Sequence, residues 1–140
     1  MIKNIVFLSL LSFSVNSFAF DIYSEIICLS SHGEKPINIK YVNVYSQKYN
    51  ARLGYIKYEK SATAIPIVLV DEYYETFEDE PYVTTTVWNE IIQGKFNGTY
   101  TVVIHGPLFS FNYMNKNGKQ IEFEERMDSY AEGMKKCAWE

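Results

Sequence analysis

Phe109-Ser110-Phe111-Asn112-Tyr113-Met114-Asn115-Lys116-Asn117-Gly118-Lys119-Gln120-Ile121-Glu122-Phe123 reads as one β-hairpin. Phe109, Phe111 and Tyr113 recur at every second residue, which places them on one face of a strand. Ile121 and Phe123 do the same beyond Asn115-Lys116-Asn117-Gly118. The Asn-Gly pair in that turn accepts the positive φ values a tight hairpin requires. The two aromatic faces are expected to pair across the hairpin.

Working outward, the same period of two recurs nearly everywhere. Thr99 to His105 is a strand broken by Gly106-Pro107, and Val83 to Ile92 is a Thr-rich, β-branched strand before it. Asn97-Gly98 reads as the turn between them. Ile65 to Val70 is a compact apolar run in which Pro66, lacking an N–H, places that end at a sheet edge. Leu53 to Glu59, Ile37 to Tyr45 and Ile22 to Leu29 complete the set, with residues 30 to 36 as a loop. Only the tail departs. Met127, Tyr130, Met134 and Cys137 follow roughly helical spacing weakened by Gly133, which predicts a short C-terminal helix or irregular arm. The expected fold is all-β: one antiparallel barrel or sandwich of seven or eight strands.

The first 19 residues are set apart from that fold. Lys3 precedes an apolar run, Ile5 to Leu11, and the stretch ends Ser17-Phe18-Ala19 with small residues placed for a cut after Ala19. This predicts a signal peptide over 1–19, a single exported domain over 20–140, and no stable membrane anchor after cleavage. The localisation expected is periplasmic or secreted. Removing the leader takes Lys3 away and leaves all 17 acidic residues, so the mature net charge is −5. That balance argues against nucleic acid, whose phosphates call for a basic face. Cys28 and Cys137 admit one pairing in an oxidising compartment. Closing a loop of about 110 residues is worth roughly 4–5 kcal/mol in the chain-entropy model.

Chemistry is less legible. Asp71-Glu72-Tyr73-Tyr74-Glu75-Thr76-Phe77-Glu78-Asp79-Glu80 holds six carboxylates and three aromatics in ten residues. Glu72, Tyr73, Tyr74, Glu75, Phe77, Glu78 and Asp79 are the candidate partner-binding residues of a docking loop. Its carboxylates would steer a cationic protein and its rings would anchor it. The loop lacks the D-x-D-x-D-G spacing of a calcium site, so no metal is assigned. His32 and His105 stand in no recognisable catalytic motif, and the pairs Glu78-Asp79 and Glu124-Glu125 read as solvated. No catalytic residue and no cofactor are assigned. Asn97-Gly98-Thr99 matches a glycosylation pattern, and Trp88 and Trp139 read as packing residues. The leading expectation is a non-enzymatic protein-binding module of inhibitor or immunity type, docking a basic partner through the acidic-aromatic loop. The alternative is a small-molecule carrier whose barrel encloses at least roughly 300 Å³ lined by Phe109, Phe111, Tyr113 and Phe123.

Overall fold

The hairpin at 109–123 forms as its alternation requires, with Phe111 opposite Phe123 and Tyr113 opposite Ile121. Asn115 caps the turn: its Oδ1 accepts the N–H groups of Asn117 and Lys119, both at 2.9 Å, and Gly118 takes φ +84°. The computed structural model describes residues 21–140, so the predicted signal segment lies outside the described residues.

Eight strands follow one another: β1 (Tyr23–Ser31), β2 (Asn38–Ser46), β3 (Ala51–Tyr58), β4 (Ile65–Phe77), β5 (Glu80–Ile92), β6 (Lys95–His105), β7 (Leu108–Asn115) and β8 (Gln120–Glu125). Each pairs antiparallel with its sequence neighbour, and β8 closes on β1. The architecture is therefore an up-and-down barrel and not a sandwich. Eight strands leave an interior just wide enough to fill with side chains or to hold one small ligand. Here one half is filled and the other is open.

Two sequence expectations need correction. First, the acidic stretch is not a loop. β4 runs on to Phe77 and β5 starts at Glu80, so 71–80 is the outer end of a long hairpin turned at Glu78-Asp79, with Asp79 at φ +62°. Its Tyr and Thr residues favour strand, and charges on a solvent-facing strand cost little. Second, the β5–β6 turn is Gln93-Gly94, at φ +52° and +74°, and Asn97-Gly98 lies inside β6. Two consecutive left-handed residues meet the same demand that Asn-Gly was expected to meet. Gly98 is needed for a different reason: a Cβ there would sit 2.5 Å from the Tyr113 ring, which lies across the strand. The tail is the irregular arm expected, with a single 3₁₀ turn at Met127–Ser129 and a two-residue strand pair, β9 (Tyr130–Ala131) with β10 (Lys136–Cys137).

That arm is tied down. Cys137 bonds Cys28 on β1 across 109 residues, and both are fully buried. Tyr130 Oη accepts the Cys28 N–H at 3.2 Å and donates to Glu125 at 2.7 Å. Burial, assisted by that bond to Glu125, pushes the Tyr130 phenol up to about 12. At the chain's end Glu140 bonds Lys40, accepts the Cys137 N–H at 3.1 Å and lies 3.6 Å from Lys57. Burial opposes its ionisation, yet these contacts outweigh it and hold the carboxyl below its ordinary value.

One seam is weak. β3 and β4 share three register pairs, against nine between β4 and β5. Pro66 sits in that short ladder, opposite Tyr55. A bulge between Leu69 and Asp71 then re-phases β4, so Glu72 and Tyr74 face inward while Asp71, Tyr73 and Glu75 face out.

Candidate functional site

The filled half of the barrel ends in a polar floor. Above the floor, Tyr41, Trp88, Phe111 and Phe123 pack with Leu29, Ile39 and Ile56. In the floor itself Glu90 is only 1% exposed. Tyr100 donates to its Oε2, while Tyr113 (2.9 Å) and Asn97 (2.6 Å) donate to its Oε1. Tyr58 joins through the Tyr100 hydroxyl at 3.1 Å. Neutral donors alone satisfy this buried carboxylate, which is the condition for burying it without severe cost. Burial raises the phenols of Tyr58, Tyr100 and Tyr113 above their ordinary value, and the Glu90 carboxylate adds to the effect. Asn97 is thereby a structural hydrogen-bond donor to Glu90.

The open half is a cavity of about 500 Å³ at the mouth where β1 begins, β2 ends and the long hairpin projects. Tyr41, Ile27, Val102 and Phe109 form its base. Its wall is polar: Glu25 from β1, Asn43 and Tyr45 from β2, Arg52 from β3, and Glu72 and Tyr74 from β4. On the remaining side stand Tyr82, Thr84 and Thr86 of β5. The lining departs from the expected one, because Phe111, Tyr113 and Phe123 are packed below and only Phe109 reaches the cavity.

Where the β3–β4 ladder stops, side chains close the wall instead. Arg52 forms an ion pair with Glu72, which also accepts from Tyr74 (2.7 Å) and Thr86 (3.3 Å). The guanidinium stands 5.9 Å from the centre of the Tyr45 ring, itself stacked on Tyr23 at 5.2 Å. A notch of about 410 Å³ between the β2–β3 turn and β4 opens beside this pair. Two polar atoms near the packed layer have no hydrogen-bond partner, Asn43 Oδ1 and Trp88 Nε1, both buried.

The candidate partner-binding residues are divided between two faces. Glu72 and Tyr74 turn into the mouth. Tyr73 and Glu75 lie on the hairpin's outer face, opposite Thr85 and Val83. Phe77 approaches His105 at 6.5 Å, and Glu78 and Asp79 form the tip. His32 is 3.5 Å from Glu124 and His105 is 3.8 Å from Glu80, at opposite ends of the barrel, so the two imidazoles share no site. Sequence reasoning missed Glu25, Asn43, Tyr45 and Arg52. Their signal was present: along the inward phase of β2, Ile39 and Tyr41 give way to Asn43 and Tyr45, and along β1 Ile27 gives way to Glu25.

Fold and site together define a closed eight-stranded β-barrel, packed at one end and open at the other. No family model, curated protein or solved structure matches this chain.

Proposed function

We propose that the protein is a non-enzymatic binding protein of an oxidising, extracytoplasmic compartment that holds a small ligand in the mouth of its barrel. The cavity of about 500 Å³ carries this reading. Its volume lies within the roughly 300–1,000 Å³ usual for ligand sites, and its aromatic base and convergent polar wall match their composition. The Cys28–Cys137 disulfide supports the compartment, as does the predicted leader. The test is native mass spectrometry of the protein purified from its own source. A small molecule retained by the wild type and lost on Thr84→Trp, which fills the mouth, is expected. A wild type that carries nothing, and whose stability no member of a metabolite panel raises, would refute it.

A second reading, docking of a basic protein in the manner of an inhibitor or immunity protein, is favoured by the hairpin's outer face. Tyr73 and Phe77 are 45% and 51% exposed there. Asp71, Glu75, Glu78 and Asp79 make no ion pair among the described residues. Capture of a basic protein by residues 20–140 at low salt, abolished by Glu75→Lys with Glu78→Lys and Asp79→Lys, is the expected result. Capture unaffected by those reversals sinks this second reading.

A further inference from the structure

We infer that the ligand of the mouth is a small organic cation, a primary ammonium on a compact aromatic or apolar body. This rests on the small-ligand reading above and names the chemistry the cavity selects.

Among the described residues the wall holds one carboxylate without an ion pair, Glu25, amid hydroxyl and amide groups that both donate and accept. Arg52, the only cation in the lining among the described residues, is paired with Glu72 and stands over the Tyr45 ring. Glu25 stands directly opposite Asn43 in the β1–β2 register, on the same inward face. Among the described residues Glu25 has no ion pair, and Asn43 Oδ1 has no hydrogen-bond donor. Neighbouring free acceptors, one charged and one neutral, fit the several donors of an ammonium group. An anion would face Glu25, and the charge of Arg52 is already paired with Glu72. The exposed Tyr74 and Tyr82 also line the mouth, where an aromatic ring can meet the ligand body and its charge.

The charge around the mouth points the same way. Around the mouth, Glu25 and the six carboxylates of 71–80 outnumber Lys48 and Arg52. At the floor end, Lys35, Lys60, Lys95, Lys116 and Lys119 are balanced by Glu34, Glu59, Glu90, Glu122 and Glu124. An acidic mouth draws cations to the open end and keeps anions from it.

Phenethylamine, 2-phenylethanol and phenylacetate share one ring and one chain length and differ in the head group. Calorimetric titration of the intact protein should find the amine bound at least about tenfold tighter than the alcohol, with phenylacetate weakest. Glu25→Gln should weaken the amine about tenfold and leave the alcohol unchanged, at an unaltered melting temperature. Raising salt from about 50 to about 500 mM should weaken the amine alone. Alcohol or phenylacetate binding as tightly as the amine overturns the cation inference and leaves the cavity reading standing. No binding by any of the three, nor by a lysine-containing peptide, overturns both. A lysine-containing peptide that binds through Glu25 where phenethylamine does not would keep the ammonium chemistry but overturn the small-molecule source.

Discussion

The barrel buries a carboxylate at its floor and displays others at its mouth, and the two ends treat them in opposite ways. Glu90 receives hydrogen bonds from Tyr100, Tyr113 and Asn97, so none of its accepting capacity points toward a ligand. At the mouth Glu72 is held by Arg52, Tyr74 and Thr86, while the exposed Glu25 makes no ion pair among the described residues and the buried Asn43 Oδ1 has no donor. A buried polar group that is fully satisfied belongs to the fold. One left unsatisfied beside a cavity carries a cost that a ligand can relieve. The contrast separates structural from binding residues within a single set of acids and tyrosines.

The largest break in that contrast should come from Glu90→Ala. It leaves three donors facing a void, at about 1–3 kcal/mol per orphaned group after partial rearrangement, so a loss of about 4 kcal/mol is expected in urea unfolding. A loss below about 1 kcal/mol would mean that the floor is not the fold's polar anchor. Alkaline titration tests the same region without mutation. Burial raises the folded-state values of Tyr58 and Tyr100 above the value of about 10 for an unfolded tyrosine. Their contribution is therefore fully present below pH 10 and is lost as pH rises from there toward the folded values. Both act in the same direction, because the unfolded chain releases each proton first. Tyrosinate absorbance should accordingly show a late, cooperative fraction coinciding with loss of circular dichroism. Ionisation of all twelve tyrosines before unfolding contradicts it.

Gly98→Ala, next in size, forces a methyl against the Tyr113 ring and should cost about 2 kcal/mol by overpacking. Glu72→Gln at the mouth should cost only about 1 kcal/mol, because the Arg52 pair is partly solvated. Equal losses for Glu72→Gln and Glu90→Ala would erase the distinction between the ends.

How much of this the sequence revealed follows from the range of the interactions involved. The 109–123 hairpin was legible because alternation and turn chemistry are local. The Cys28–Cys137 clasp followed from there being two cysteines and one way to join them. Asn97-Gly98 misled because a turn dipeptide and a close-packing glycine look alike in sequence; what distinguishes them is the Tyr113 ring, fifteen residues away. The 71–80 segment misled because its charge density resembles a loop, although carboxylates alternating outward are compatible with a strand. The mouth was hidden for a deeper reason. Glu25, Asn43, Arg52 and Glu72 come from four strands, and closure of the barrel alone brings them together.

The smallest expected effect is the most discriminating. Asn43→Leu keeps the approximate size of the side chain and removes a buried oxygen that has no donor. If Asn43 served the fold, replacing it would cost stability, as breaking the floor does. Because its oxygen makes no hydrogen bond in the folded protein, the substitution should leave stability unchanged or raise it by up to about 1 kcal/mol. Binding should move the other way: a leucine offers no acceptor, so the affinity for an amine ought to fall while a purely apolar ligand loses nothing. A residue whose removal stabilises the barrel and empties its mouth is held there for a ligand. If Asn43→Leu instead destabilises as Glu90→Ala does, the mouth is structural like the floor and the comparison fails.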